Sequence, residues 1–241
     1  MTLRARPRLR RFVADHPSLY MPIRRRRAPG TVLSPRTDLV IEGFPRSANT
    51  WTEALVRVAG PSLHLAHHSH AAAHVKAAVQ AKVPVLVLYR DPDEAVRSLL
   101  AMLGKRTSAV DAYADYASFY KSVLTLPRTS LFLVPFKQAT GTPSVVIERL
   151  VQRFGLPLDA SNVTREAVLA ALEAKEAPLA EARRVLGQVF SDAAICAPQN
   201  AQRLTEQQRV QANVAIAAKR AQKLRVVARA VFEQLERAAR G

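Results

Sequence analysis

The stretch that decides the fold reads Val40-Ile41-Glu42-Gly43-Phe44-Pro45-Arg46-Ser47-Ala48-Asn49-Thr50-Trp51. Apolar residues lead into a loop of small and hydroxyl side chains, and helical sequence follows from about Asn49. Such an order forms an anion site, because the first amides of a helix lack intrahelical partners and the macrodipole places partial positive charge there. The side chains of Arg46, Ser47 and Thr50 add donors at the same place.

This loop differs from the phosphate loop of nucleotide triphosphatases, G-x-x-x-x-G-K-[ST], at one informative position. Gly43 takes the first glycine, Ala48 the second and Thr50 the hydroxyl, but Asn49 stands where the motif has lysine. Without a cation there to reach the terminal phosphates, hydrolysis of ATP or GTP is disfavoured, whereas a backbone cradle for phosphate remains. Arg46 supplies a cation earlier in the loop.

A second stretch, residues 87–92 followed by Ser98, also reads as strand, loop and helix start. The first loop resembles the P-[KR]-[ST]-[GA]-[TN]-[ST]-W loop of sulfotransferases, which holds the 5′-phosphosulfate of the donor PAPS. Arg90-Asp91-Pro92, with Ser98 eight residues after Arg90, resembles that family's R-[ND]-P-x-x-x-x-x-S signature, whose arginine and serine bind the 3′-phosphate of the donor.

The resemblance implies PAPS as co-substrate, PAP as product and no metal. It also implies that the phosphosulfate is neutralised by the loop amides and by Arg46, which we count as catalytic as well as donor-binding. Arg203 is expected to reach back to the donor. The full set of expected donor-binding residues is Arg46, Ser47, Ala48, Asn49, Thr50, Trp51, Arg90, Ser98 and Arg203.

Both motifs also have an ordinary structural interpretation. Ser47 or Thr50 could be the N-cap of the helix and satisfy its free amides. Asp91 is placed to cap a second helix, with Pro92 at its first position. The structural and the functional roles are compatible at the second motif.

Five of the six histidines lie between positions 64 and 74. A zinc site is one interpretation of this cluster, but neither a cysteine nor a carboxylate stands close to it in the sequence. In the sulfotransferases that this chain resembles, a histidine takes the proton of the acceptor hydroxyl, and a neutral imidazole suits that step. His70 matches the local pattern of the family and is preferred, whereas His68 matches the usual distance from the donor-binding arginine.

The sequence departs from the family pattern in two ways, and the first, which several bacterial and carbohydrate-type members share, favours that branch of the family. The G-x-x-G-x-W-[KR] segment that closes over the nucleotide in cytosolic members is missing from the sequence, and residues 134–137 replace the usual Y-E-[DE]-L.

The order of strands and helices predicts the fold class. Continuous apolar runs at residues 39–41, 83–89 and 130–134 are typical of parallel strands covered on both faces. Helical sequence separates them, and Gly155 followed by Leu156-Pro157 is a stop signal. We therefore expect an α/β fold, a doubly wound three-layer sheet of parallel strands flanked by helices, with ligands beyond the carboxyl ends of the strands.

The two ends of the chain differ from this central pattern. Residues 1–36 hold five of the fifteen prolines and are expected to form a basic N-terminal arm. Residues 37–241 are expected to form a single sulfotransferase-like domain that ends in a long helix from about residue 205 to 240, roughly 54 Å if continuous. That helix packs across the sheet or, as the alternative, forms the arm of a homodimer.

Charge and cysteine content suggest partners and location. Lys and Arg number 36 against 19 Asp and Glu, a net charge of +17, so polyanions, anionic membrane surfaces or acidic acceptors are expected partners. The N-terminal arginines, including the run from Arg24 to Arg27, are expected to form a solvated arm, with contact to an anionic surface as the alternative. The single cysteine, Cys196, favours a reducing, cytoplasmic location, with peripheral membrane contact as an option.

The leading interpretation is a PAPS-dependent sulfotransferase that moves a sulfuryl group in line to a hydroxyl of a carbohydrate or small-molecule acceptor. Two other classes stay open. One is a nucleotide-phosphate-binding protein of the P-loop type with another transfer chemistry. The other is a non-catalytic basic module that binds nucleic acid or anionic surfaces.

Overall fold

The computed structural model describes residues 7–174 and 205–240, and a four-stranded parallel sheet lies at its centre. The strands stand in the order β2-β1-β3-β4, and every neighbouring pair is parallel. Their bounds are β1 Leu39–Gly43, β2 Leu65–His67, β3 Val85–Tyr89 and β4 Leu131–Pro135. The runs predicted at residues 39–41, 83–89 and 130–134 correspond to β1, β3 and β4, whereas β2 was not predicted.

Helices cover both faces of the sheet, which confirms the predicted α/β fold. Alternate strand residues face opposite ways: Val40 and Val87 pack into one core, and Ile41 and Leu88 into the other. The helices of the described residues are α1 Pro7–Asp15, α2 Pro17–Arg27, α3 Asn49–Ala59, α4 Ala72–Gln80, α5 Pro92–Leu103, α6 Ala109–Leu124, α7 Phe136–Gly141, α8 Pro143–Phe154, α9 165–174, α10 Glu206–Ala217 and α11 Lys219–Arg240.

Helices α2, α4, α5, α6, α10 and α11 contribute to the first core, and α3, α7, α8 and α9 to the second. The strand side chains at both cores are almost completely buried. This explains why β1 and β3 are continuous apolar runs rather than alternating patterns.

The N-terminal arm is largely helical and packs on the domain. Helix α1 lies against α4 and α6, and α2 lies against α4. Arg10 and Arg11 pair with Asp115 on α6, and Lys76 pairs with Asp15 at 2.7 Å. Arg25, Arg26 and Arg27 are exposed, so an anionic surface contact through them stays a prediction.

The C-terminal segment forms two helices where the sequence predicts one. The chain breaks at Ala218, whose backbone is extended with ψ 132. This break lets α10 pack on α5 while α11 crosses α6 and β4. Within residues 7–174 and 205–240, no helix is both long and apolar enough to cross a membrane.

Candidate active site

The two predicted loops meet because of the strand order. In β2-β1-β3-β4 the chain leaves β1 toward one edge of the sheet and leaves β3 toward the other. Such a reversal opens a crevice beyond the carboxyl ends of the two central strands. The loop after β1 holds residues 44–48, and the loop after β3 begins at Arg90. Both predicted motifs therefore border one crevice.

The loop after β1 follows a tight path. Gly43, the last residue of β1, could not carry a side chain, because a Cβ would lie 2.5 Å from the backbone oxygen of Leu88. Arg46 and Ala48 both have positive φ, 72° and 74°, a conformation that costs on the order of 1 kcal/mol for a residue with a Cβ. Such backbone strain persists only where the surrounding structure imposes it.

The N-terminus of α3 faces this crevice without a side-chain cap. Ala48 occupies the N-cap position, and in the described part of the chain no side-chain hydrogen bond caps it. The alternative in which Ser47 or Thr50 caps the helix is therefore wrong. Free amides and the positive end of the helix dipole are the features of an anion site. By contrast, Asp91 does cap α5 with Pro92 at its first position, as predicted.

A cavity of about 390 Å³ lies in front of α3, and most of the predicted site residues line it. From the predicted set these are Arg46, Ala48, Asn49, Thr50, Trp51, His68, His70 and Arg90. Ser47 is fully buried within the loop, and Ser98 contacts the site through Arg46, from whose Nε its Oγ accepts a hydrogen bond. Arg203 and Cys196 lie outside the described residues.

Arg46 connects the two motifs. Its Nε donates to Oγ of Ser98 at 2.9 Å, and its backbone oxygen accepts from Nη1 of Arg90 at 3.1 Å. The guanidinium of Arg90 also lies 4.0 Å above the ring centre of Phe136 and pairs with Glu94 at 3.1 Å. The two arginines are therefore held together at one end of the cavity by groups from three different elements.

Asn49 explains why a lysine is not needed to hold the loop. Its Nδ2 donates to the backbone oxygen of Phe44 at 3.1 Å, and the side chain is almost fully buried. The hydroxyl of Tyr120 supports the same turn, because it accepts from the amide of Phe44 and donates to the oxygen of Leu88. The residue at the lysine position thus closes the loop instead of reaching outward.

One ring nitrogen of His70 is held by a hydrogen bond to the backbone, and the residue lines the cavity. Its Nδ1 lies 2.8 Å from the backbone oxygen of Gly43. A carbonyl can only accept, so Nδ1 carries the proton and a neutral ring has its lone pair on Nε2. The backbone amide of His70 donates to Glu42 at 2.8 Å.

Glu42 is a buried carboxylate that organises the segment after β2. It accepts from the amides of Ser69 and His70 and from Nδ1 of His74 at 2.8 Å. The His74 tautomer is fixed, because its Nε2 accepts from the amide of Leu33. Burial by itself raises the pKa of Glu42, but the hydrogen bonds from His74 and from the amide of Ser69 outweigh it and lower the pKa.

His68 is engaged at both ring nitrogens. Its Nε2 lies 3.0 Å from Oγ1 of Thr50, and its Nδ1 lies 2.5 Å from Nδ1 of His67. Burial, followed by the charges of His70 and His67, lowers the pKa of His68 to about 3. This leaves His70, rather than His68, with a nitrogen available to a ligand.

The histidine cluster has a carboxylate partner that is distant in the sequence. Ligand atoms of Glu53, His67 and His68 lie within 4.8 Å of one another. These atoms contact each other, and Nε of Arg57 donates to Oε1 of Glu53 at 3.0 Å. The three side chains therefore form a row of polar contacts.

A second cavity of about 370 Å³ adjoins the first. Its apolar walls come from the arm, the loop and α6, and include Tyr20, Phe44 and Phe119. Pro45, His70, Leu99 and Leu103 line both cavities. His70 is the titratable residue in this shared group, so its ring stands between the two spaces.

Three residues of the site escaped the sequence analysis: Glu42, Glu53 and Phe136. A carboxylate in the otherwise apolar run of β1 is a signal that could have identified Glu42. Glu53 is nearly fully buried on α3, and only the tertiary structure shows its partners. Phe136 follows β4 directly, so its nearness to Arg90 depends on the strand order.

Neither a protein-family model nor the sequence of a curated protein matches this chain. Among solved structures, the chain is similar to the mouse sulfotransferase SULT7A1 complexed with PAP, with a TM-score of 0.40. The sequence identity is 9%, over 86% of this chain and 91% of that chain. The chemistry of the site rests on the residues described above.

Proposed function

We propose that this protein is a PAPS-dependent sulfotransferase that transfers a sulfuryl group to a hydroxyl of a carbohydrate or small-molecule acceptor. The observation that carries the proposal is the direct contact between the two donor-binding motifs, from Arg90 Nη1 to the Arg46 oxygen at 3.1 Å and from Arg46 Nε to Ser98 Oγ at 2.9 Å. Arg46 and Arg90, 44 positions apart in the sequence, thus form one basic end of a cavity.

The residues present suit a donor with two anionic ends. The uncapped N-terminus of α3, with Thr50 and Arg46 beside it, would hold the phosphosulfate end. Arg90, whose guanidinium lies over the ring of Phe136, would hold the 3′-phosphate, since a guanidinium binds phosphate through two parallel donors. PAPS supplies the activated sulfuryl group when bound.

His70 is the proposed general base. Its Nδ1 proton donates to Gly43, which leaves the Nε2 lone pair of the neutral ring to take the proton of an acceptor hydroxyl. The acceptor oxygen then forms the new bond to sulfur while the bond to the leaving phosphate breaks. The position of His70 between the two cavities favours an acceptor in the second cavity and a donor in the first.

The loop disfavours nucleotide triphosphate hydrolysis. Asn49 turns inward to Phe44, so the position that carries the catalytic lysine in triphosphatases offers no cation to a γ-phosphate. Positive charge near the loop comes from Arg46 and Arg90 instead.

Calorimetry with PAP, ATP and duplex DNA at two salt concentrations tests the proposal. We expect micromolar binding of PAP, at least tenfold weaker binding of ATP, and loss of PAP binding in Arg90→Ala. Arg97→Ala is the matched control, because Arg97 is an exposed arginine on α5, the helix that follows Arg90. Binding of DNA with a steep salt dependence and no response to PAP would instead support a basic nucleic-acid module.

A further inference from the structure

The two helices of the N-terminal arm turn apolar side chains toward solvent. Leu9 and Phe12 on α1 are 55% and 52% exposed, and Leu19 and Ile23 on α2 are 44% and 45% exposed. Within residues 7–174 and 205–240 eight large apolar side chains are exposed, and the four outside the arm are all valines. A single exposed apolar residue is ordinary, whereas a group of them marks a contact surface.

Helix α1 meets the domain through charged side chains instead of apolar ones. It has no buried residue. Arg11 pairs with Asp115 of α6 at 3.1 Å, and Asp15 pairs with Lys76 of α4 at 2.7 Å. A surface helix of a globular protein normally turns its apolar stripe to the core and its charges to water. The apolar side of α1 is therefore on the opposite side from the one that ordinary packing requires.

Helix α2 divides its side chains between the domain and the solvent. Met21 is buried, and Nη2 of Arg24 donates to the backbone oxygen of His68 at 3.0 Å, so these two residues face the domain. Leu19 and Ile23 are four residues apart and share the outward face. Because α1 and α2 contact each other and both rest on α4, their outward faces lie on the same side of the molecule.

Arginines border the exposed apolar group. Arg25, Arg26 and Arg27 end α2 and are exposed. Asp15 is the single acidic residue among residues 1–36, and its carboxylate is engaged by α4. The side of the arm that points away from the domain is thus both apolar and cationic. We call it the arm surface, and its members are Leu9, Phe12, Leu19, Ile23, Arg25, Arg26 and Arg27.

We propose that the arm surface docks on an anionic lipid bilayer. At the interface of such a bilayer, apolar side chains enter the boundary of the acyl chains, while guanidinium groups stay at the level of the lipid phosphates. One partner then contacts both the apolar and the cationic members of the arm surface. The proposal involves no donor-binding residue, so it does not rest on the proposed function.

Two other partners suit this surface less well. The phosphates of a nucleic acid would pair with the arginines but would leave Leu9 and Phe12 in water. A second copy of the chain, related by a two-fold axis, would bring two arginine runs to one interface. The arm surface has no acidic member to offset them, and like charges brought together oppose association. The combination of charge and apolar character therefore favours the bilayer.

Flotation of the full chain with lipid vesicles tests the proposal. We expect binding to phosphatidylcholine vesicles that contain about 30% phosphatidylserine, and at least about tenfold weaker binding to pure phosphatidylcholine vesicles. The double variant Leu9→Ser/Phe12→Ser should bind the anionic vesicles about tenfold more weakly. The triple variant Arg25→Ala/Arg26→Ala/Arg27→Ala should bind them about a hundredfold more weakly, because each arginine near an anionic surface contributes about a factor of five.

Each variant has a control of the same kind elsewhere on the surface. Val210 and Val214 on α10 are 50% and 68% exposed, so Val210→Ser/Val214→Ser removes two exposed apolar side chains outside the arm. Arg149→Ala/Arg220→Ala/Arg237→Ala removes three exposed arginines and lowers the net charge by the same amount as the triple variant of the arm. Both controls should bind anionic vesicles within about threefold of the wild type.

Phe12→Trp reports insertion of the arm directly. Trp51 is the single tryptophan of the chain and is 3% exposed, so a new shift of the emission to shorter wavelength on adding anionic vesicles comes from position 12. Such a shift, together with the weaker binding of both arm variants, supports the docking.

Three results overturn the proposal. The first is a lack of binding to anionic vesicles. The second is binding that Leu9→Ser/Phe12→Ser leaves unchanged, or that the arginine control loses as much as the arm variant, since both describe simple adsorption of a basic protein. The third is a dimer that forms without lipid and is lost in Leu9→Ser/Phe12→Ser, which assigns the surface to a second copy. Calorimetry with PAP on the same variants tests the proposed function separately.

Discussion

Removing the carboxylate of Asp93 should loosen the C-terminal helix from the domain. Asp93 is 4% exposed and lies in the first turn of α5, directly after the Arg90 motif. It accepts from the hydroxyl of Tyr113 at 2.7 Å. From α11 it accepts from Arg225 at 2.6 Å and from Arg229 at 2.7 Å. These contacts join three helices at one carboxylate.

The expected loss can be summed from these contacts. Asp93→Ala leaves the buried hydroxyl of Tyr113 without its acceptor, which costs about 1–3 kcal/mol. The side chains of Arg225 and Arg229 are 36% and 44% exposed, so each pair is screened by solvent and contributes about 0.2–1 kcal/mol. We expect the free energy of unfolding to fall by about 3 kcal/mol in Asp93→Ala. Asp93→Asn keeps an acceptor for Tyr113 and should lose about 1 kcal/mol.

Urea denaturation of both variants measures these values, and pH adds a second readout. Burial raises the pKa of Asp93, but hydrogen bonds from Arg225, Tyr113 and Arg229 outweigh it and lower the pKa below the ordinary value of 3.8. A lowered folded-state pKa means that the stabilisation is complete above 3.8 and declines as the pH falls below it. The difference between wild type and Asp93→Asn should therefore be constant from pH 8 to pH 5. A difference below 0.5 kcal/mol in Asp93→Ala, or one that disappears by pH 5, refutes the reasoning.

Two further predictions concern the loop and the base. Gly43→Ala should lower the free energy of unfolding, measured in urea, by about 1–3 kcal/mol, because its Cβ would lie 2.5 Å from the Leu88 oxygen. Gly141→Ala is the control, because a Cβ at Gly141 would have nothing within 4 Å. Equal stability of the two variants would contradict the close approach of β1 to β3 at Gly43. In His70→Ala the affinity for PAP should stay within threefold of the wild-type value, while the rate of sulfuryl transfer falls about 10²–10⁴-fold. The control variant His64→Ala should transfer the sulfuryl group at the normal rate. Full turnover in His70→Ala would exclude His70 as the base.

The sequence predicts the central part of the fold because both motifs and the strands before them are local patterns. An unbroken apolar run identifies β1 and β3, and Asp91-Pro92 identifies the start of α5. Gly155 ends α8 with φ 64, in agreement with the predicted stop. Each of these signals is complete within a few residues, so tertiary contacts do not alter it.

Other features depend on contacts between distant residues. Strand β2 has only three residues, Leu65–His67, and exists through its pairing with β1. Ser47 matches the sulfotransferase loop motif, yet its side chain is buried within the loop. The break at Ala218 depends on where α5, α6 and β4 offer surfaces for packing. No local pattern contains this information.

Amide hydrogen exchange with and without PAP tests most directly whether one nucleotide is held by both loops. The account predicts slower exchange, on adding PAP, in peptides covering residues 44–52 and in peptides covering residues 90–99, at the same ligand concentration. Arg90→Ala should remove both effects together. Protection of only one of these segments, or protection confined to the basic arm at residues 7–27, would contradict a shared donor site.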